Sequence, residues 1–354
     1  MAGSEPLHTS TDGTTIFLCG DVMLGRGVDQ ILAHPCDPHL VEDYLDSALA
    51  YVHLAEAAHG ALPRAASGTY VWGDALSDLR EFGPQARIVN LETAITTNGA
   101  PWPKGDQLPD VSAQRPLPRN LRSRLLRAGQ QPCHGLGQDR PHRDAGDAAA
   151  AGHPPILVFA FGHSSSGIPQ EWAATAHRSG VRLLPDLSPA TIEKIVDTVH
   201  THRRPGDLAV ISMHWGSNWG CDVTQEQRVL AHALVDSCAC DIFHGHSSHH
   251  PRPIEIYRDR LILYGCGDFI NDYEGIRGKE AFRPDLCLGY LPRLGKDGAL
   301  KALTLLPYRV RRFRLEAAGA EDALWLESLL NHTGRNFAFR LAVDPLQRLR
   351  LIRS

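Results

Sequence analysis

The sequence predicts an α/β fold, and three observations carry that reading. Apolar runs of strand length recur along the chain, amphipathic helical segments lie between them, and the composition supports a sizeable core. The 354 residues are 43% hydrophobic and 21% charged, an ordinary globular balance for one large domain or two smaller ones.

The strand-like runs are Thr14 to Cys19, Arg87 to Leu91, Ile156 to Phe161, Leu208 to Met213 and Asp241 to Phe243. A hairpin is expected from Ile254 to Tyr257 and Leu261 to Tyr264, turning at Arg258-Asp259-Arg260. A last long strand or strand pair covers Leu300 to Leu315. Among the helical segments, Val41 to His59 sets Leu45, Leu49 and Val52 on one face, with Gly60 as its stop. Ser188-Pro189 opens a helix carrying Ile192, Ile195, Val196 and Val199, and Pro205-Gly206 ends it. Thr224 and Gln227 make a capping-box pattern ahead of Val229, Leu230, Ala233 and Leu234. Ala320 to Leu330 is a late helix. Strands alternating with helices in this way imply a mainly central sheet.

A net charge of −4 is small for this length and argues against a nucleic-acid partner bound through a basic surface. The N-terminus, MAGSEPLHTSTDGTT, lacks the basic and apolar regions of a secretion signal. No apolar stretch approaches the roughly 18 residues of a membrane span. A cytoplasmic location is the expectation. The eight cysteines lack the paired spacing of a zinc ribbon, so most are read as reduced and several as small buried apolar residues.

From Pro103 to Pro155 there is no aromatic residue, no isoleucine and no glutamate. Only Leu117 to Leu126 has helical character there. Long structureless loops are uncommon in compact domains. Residues 105–155 are therefore anomalous, and two readings stay open: a surface insertion, disordered or looped, or a stretch altered by a shifted reading frame.

Four of the strands run into residues that bind metals. The first ends in Gly20-Asp21, the second in Asn90-Leu91-Glu92, another in His214-Trp215-Gly216, and another in His244-Gly245-His246, followed by Ser247-Ser248-His249-His250. Ligands of open α/β sheets sit beyond the carboxyl ends of strands. Each residue alone has a plainer explanation: Asp21 caps a turn, Glu92 caps a helix, His214 is a satisfied core histidine. Four strand ends sharing the pattern weigh toward one site. Carboxylates with imidazoles suit Mn, Fe or Zn rather than Mg or Ca. One or two such ions hold a phosphoryl oxygen and generate hydroxide near neutral pH. Arg26 has the fork geometry to pair with phosphate, against the plainer reading of an ordinary surface arginine. His244 and His250 are read as partners that orient the ligands.

The segments Gly20-Asp21-Val22-Met23-Leu24-Gly25-Arg26, Asn90-Leu91-Glu92-Thr93, His214-Trp215-Gly216, Gly245-His246-Ser247-Ser248-His249 and Tyr264-Gly265-Cys266-Gly267-Asp268-Phe269 together resemble the CapA-type poly-γ-glutamate capsule biosynthesis proteins. These are relatives of the calcineurin-like metallophosphoesterases. The resemblance covers roughly residues 14 to 103 and 156 to 315. It implies a four-layer α-β-β-α sandwich with mixed sheets and a divalent-metal site between them. Residues 1–315 would form that domain, with 316–354 as a C-terminal helix and strand extension packed on it. By position, the resemblance implies Asp21, Glu92, His214, His246 and His249 as metal ligands. Arg26 and Asn90 would face an anionic small-molecule or polymer substrate, and Asp268 would support the ligands. The family's Asn-Asn-His-x-x-Asp-x-Gly segment, source of a proton donor, has no counterpart here. Its place falls in the anomalous stretch.

Overall fold

The computed structural model describes residues 13–42, 45–92, 153–178, 180–337 and 339–352, with the backbone of three short strands inside 93–152. The strands are β1 (Thr14–Val22), β2 (Val41–Glu42), β3 (Ala86–Leu91), β4 (Asp106–Gln107), β5 (Leu125–Ala128), β6 (His142–Asp144), β7 (Ile156–His163), β8 (Leu183–Leu184) and β9 (Leu208–His214). They continue as β10 (Ile242–His246), β11 (Ile254–Tyr257), β12 (Arg260–Leu263), β13 (Asp268–Ile270), β14 (Leu286–Leu294), β15 (Leu300–Arg311), β16 (Arg314–Ala317), β17 (Arg340–Val343) and β18 (Leu349–Ile352). The α-helices are α1 (Arg26–Gln30), α2 (Leu49–His59), α3 (Ala75–Phe82), α4 (Pro189–His202), α5 (Gln225–Asp236) and α6 (Ala320–Thr333).

Among the described residues there are two large mixed sheets, where the strand pattern alone implied one. The first has nine strands, with the path β17-β18-β15-β14-β1-β3-β5 and with β13 on β1 and β16 on β15. The second has seven, with the path β11-β12-β10-β9-β7-β6 and β8 on β7. Alternation along each strand explains the layering, because successive side chains point to opposite faces. In β1, Ile16 and Leu18 enter one apolar cluster and Phe17 and Cys19 enter another. In β9, Leu208 and Val210 join the first of these clusters while Ala209, Ile211 and Met213 join a third. The shared cluster is the filling between the sheets. The second cluster takes Val28, Val52, Ala55 and Leu79 from α1 to α3, and the third takes Ile192, Ile195, Leu230 and Leu234 from α4 and α5. Three apolar layers separate four structural ones, which is the α-β-β-α sandwich. Leu326 and Leu330 of α6, with Leu341 and Leu349 of β17 and β18, sit in the inter-sheet cluster.

The local expectations are met at the hairpin and at both predicted caps. Tyr257 pairs with Arg260, and Arg258 and Asp259 both take positive φ (48° and 59°), the conformation a two-residue hairpin turn requires. The Ser188 side chain accepts from Thr191 N, and Thr224 and Gln227 form the reciprocal capping box. Two expectations need correction. The helix read from Val41 begins only at Leu49, since Val41–Glu42 is a strand paired with Asp106–Gln107. Leu125 and Leu126, which end the segment with helical character, begin a strand, Leu125–Ala128, that runs parallel to β3; the rest of that segment lies outside the described residues. β14 was not expected at all. Its Gly289 and Pro292 break the strand pattern, yet it lies between β1 and β15, and a Cβ on Gly289 would stand 2.7 Å from the Phe17 ring.

Replacing the capping threonine, Thr224→Ala, removes one hydrogen bond at the start of α5. It should cost about 1 kcal/mol, read as a lower urea midpoint with an unchanged denaturant slope.

Candidate metal centre

The polar residues of the site continue the inter-sheet face of four strands. In β9 that face reads Leu208, Val210, Ser212, His214, and in β10 it reads Ile242, His244, His246. The parallel register sets His244 opposite Ser212 and His246 opposite His214. In β3, Asn90 follows Ile88 on the same face. Strict alternation would have turned Asp21 of β1 away. The register shift between Cys19 and Asp21 corrects this: Cys19 pairs with Val89 and Asp21 with Asn90, which leaves Gly20 unpaired in a bulge. Gly20 suits that place, because a Cβ there would lie 1.7 Å from the Gly267 carbonyl oxygen.

Asp21, Asn90, Glu92, His214 and His246 converge at these strand ends. Ligand atoms of Asp21, His214 and His246 lie within 4.8 Å of one another. The two imidazole Nδ1 atoms are 2.9 Å apart, and His246 Nδ1 is 3.8 Å from Asp21 Oδ1. Asn90 Nδ2 donates to Asp21 Oδ1 (2.6 Å) and Glu92 Oε2 (3.1 Å), and lies 3.3 Å from His214 Nδ1. Glu92 Oε2 is 3.6 Å from the same His214 nitrogen. Ser247 has φ of 100°, rare for a side-chain-bearing residue, and in that conformation its N–H donates to Asp21 Oδ2 at 3.1 Å.

A hydrogen-bond relay sets the histidine tautomers. The Cys19 carbonyl can only accept, so His244 Nε2 donates to it at 2.8 Å. Burial holds His244 neutral, with its pKa down to about 4, so its Nδ1 must accept from Ser212 Oγ at 3.3 Å. Ser212, having spent its proton, accepts from His246 Nε2 at 2.8 Å. The lone pair of His246 Nδ1 is thereby aimed at His214 and Asp21. Burial, with His214 and His244 adding to it, keeps His246 well below the usual imidazole range.

A divalent cation fits this donor set. The His246 Nδ1 lone pair faces the His214 imidazole beside two carboxylates, and the buried Asn90 Oδ1 has no hydrogen-bond partner. The carboxylates are unfavourable together without a counter-charge. Burial first, then Glu92 and Asp268, push Asp21 up to about 8, against the opposing pull of His214 and Asn90.

The other expected residues are placed as follows. Asp268 of β13 stands beside Asp21 in the parallel register. His249 Nδ1 donates to both Asp268 oxygens, at 3.0 and 3.2 Å, which leaves Nε2 as its remaining ligand atom. Burial opposes a charge on His249, and Asp268 overcomes it, raising the pKa. His250 spends both nitrogens on backbone, bonding Pro251 O and accepting from Gly220 N, and so pins the loop after His214. The anion-holding role read for Arg26 meets a competitor: its guanidinium is buried, 2.7 Å from Asp272 and stacked on Tyr51. Ser212 escaped notice in the sequence, although a serine on the otherwise apolar face Leu208, Val210 was a visible signal.

The raised Asp21 pKa has a consequence for metal-free protein. In the unfolded chain the group ionises near 3.8, while in the native state it holds its proton to about 8. Its contribution is complete below 3.8 and is lost as the pH rises toward 8, because there the native state binds more protons. Asp21→Asn should flatten the fall in stability between pH 5 and 8, measured by urea denaturation in chelator. An unchanged slope would show that Asp21 is ionised throughout.

Residues 15–115 and 120–273 match the family described as bacterial capsule synthesis protein PGA_cap. The chain is 40% identical over 361 aligned residues to a probable polyglutamine synthesis accessory protein of Mycobacterium tuberculosis, covering 94% of each chain. It is 33% identical over 97 residues to the PGA biosynthesis protein CapA of Bacillus subtilis, covering 27% of this chain and 25% of that one. A solved structure titled as a novel phosphatase, from Mycoplasma pneumoniae, matches 84% of this chain and 94% of its own at a TM-score of 0.41 and 9% identity, a distant likeness. No helix among the described residues is long and apolar enough to cross a membrane. On the match over residues 15–115 and 120–273 and the 40% identity along almost the whole chain, the chain belongs to the bacterial capsule synthesis protein family, the family of CapA.

Proposed function

We propose that this chain is a divalent-metal-dependent hydrolase of the phosphoesterase type, acting on an anionic substrate in capsule polymer synthesis. The observation that carries the reading is the 2.9 Å approach of His214 Nδ1 and His246 Nδ1 beside Asp21, with the relay aiming a lone pair into the gap. Asp21, His214 and His246 would hold the ion, with Glu92 beside them and the Asn90 amide donating to both carboxylates. His249 would join them through Nε2. The donor set suits Mn, Fe or Zn. Such an ion polarises a phosphoryl oxygen and brings the ionisation of water near neutral pH. The protein's own groups orient the ligands: Ser212 fixes the His246 tautomer, and Asn90 and the Ser247 N–H hold the Asp21 carboxyl group in place.

A second reading, a metal- or anion-binding assembly protein without turnover, is favoured by one observation. The sequence between Gly105 and Ile156 contains no Asn-Asn-His segment, and losing a general acid costs about 10²–10⁴-fold in rate. Metal content of purified protein, followed by Mn-dependent hydrolysis of an aryl phosphate, separates the two. Metal with turnover supports the hydrolase; metal without turnover supports the assembly protein. No metal, with His246→Ala unchanged in every assay, would sink both.

Ser212→Ala should lower Mn affinity about 10–100-fold, the usual cost of losing a group that orients a ligand. Isothermal titration checks this. The loss should leave the fold intact by circular dichroism.

A further inference from the structure

We propose that Arg252 and Gln227 form a buried site for a small monovalent anion of halide size, beside the loop that follows His214. The proposal does not depend on the hydrolase reading.

The Arg252 backbone N–H donates to the Gly265 carbonyl at 2.9 Å, and its side chain then passes between two glycines. A Cβ on Gly265 would stand 2.7 Å from Arg252 Cδ. A Cβ on Gly216, which has φ of 82°, would stand 2.7 Å from Arg252 Nη1. At the end of the side chain Nη2 donates to the Asp222 carbonyl. Nε and Nη1 are buried and have no acceptor among the described residues. Arg252 is only 3% exposed, and it makes no ion pair with a carboxylate among them. Arg26 shows the contrast: it is similarly buried, but Asp272 stands 2.7 Å from its guanidinium. Burial pulls the Arg252 pKa down, with Cys221 and Asp222 opposing. A buried charge without a counter-charge is costly, and so is each buried donor without an acceptor.

Gln227 directs a further donor to the same place. Its Oε1 accepts the Thr224 N–H at 3.1 Å in the capping box of α5. A backbone N–H can only donate, so this bond fixes which end of the amide is oxygen. The Nε2 end would lie 3.0 Å from the same Gly216 Cβ that Arg252 Nη1 approaches. Gln227 is 4% exposed, and its Nε2 donates to none of the described residues. Two donors that offer each other no acceptor therefore meet across Gly216. One acceptor atom between them would satisfy both, and a negative charge on it would neutralise the guanidinium. The two glycines restrict the occupant in size, and a single guanidinium sets its charge at minus one. The neighbouring loop is already pinned at three points: Gly216 N donates to Ser165 Oγ, Gly220 N to His250 Nε2, and the Asp222 carbonyl accepts from Arg252. An anion here would tie the start of α5 to the chain leaving His214.

The test is thermal unfolding of the full chain in chelator, at equal ionic strength in sodium chloride, sodium bromide or sodium gluconate. Gluconate is monovalent but too bulky for the site. Wild type should melt about 2–4 °C higher in either halide than in gluconate, because a ligand of the native state alone raises Tm. Arg252→Met keeps the apolar stem and should lose that advantage. Gln227→Glu retains a capping-box residue while supplying a carboxylate in place of the anion, so it too should melt alike in all three salts. It carries the comparison if Arg252→Met does not fold. Anomalous scattering from crystals grown in bromide should place an ion within hydrogen-bond distance of Arg252 Nη1 and Gln227 Nε2. The proposal is overturned if wild type gains nothing from halide, if Gln227→Glu keeps the gain, or if bromide peaks occur only elsewhere.

Discussion

A hydrogen bond from His244 Nε2 to the Cys19 carbonyl joins the two sheets across an otherwise apolar interior. Its direction is forced, because a carbonyl offers no proton, and everything downstream inherits that direction. His244 must accept from Ser212, Ser212 must accept from His246, and His246 must turn a lone pair toward His214 and Asp21. Breaking the chain anywhere strands a buried polar group at about 1–3 kcal/mol. The relay therefore sets the site's chemistry and ties it to the packing of the sandwich.

The same interior keeps these side chains uncharged. Apolar side chains fill the face between the sheets up to Val210 and Ile242, and beyond them it becomes polar within one residue pair. Burial keeps His244 and His246 neutral and works against ionised Asp21. A cation reverses that balance, since neutral imidazoles and paired carboxylates are what it binds.

Much of this was readable in the sequence, for identifiable reasons. Strand ends rich in Asp, Glu and His announced the site because strand cores are apolar and the change is abrupt. Caps such as Ser188 and Thr224 were legible because they depend on neighbours three residues away. Long-range facts were not. Nothing local to Gly20 says that it is the unpaired residue that turns Asp21 inward, since the bulge exists only against β3. Nothing local to Asp272 says that it captures Arg26 from 246 positions away. β14 was hidden by Gly289 and Pro292, whose roles depend on the Phe17 ring and on pairing with β15. The strand pattern also could not tell one sheet from two, because an inward face looks the same whichever sheet it meets.

The late segments α6, β17 and β18 bring Leu326, Leu330, Leu341 and Leu349 into the space between the sheets. Strand β18 pairs with β15, which in turn pairs with the β14 beside β1. This order has a consequence during synthesis. A ribosome that has made the first three hundred residues has already released every candidate ligand, but not the residues that plug the interior behind them. Domains fold as units, and partly filled cores expose apolar surface. A domain that folds as one unit completes its inter-sheet core only when these late segments arrive, and the candidate site would be among the last parts of the molecule to form.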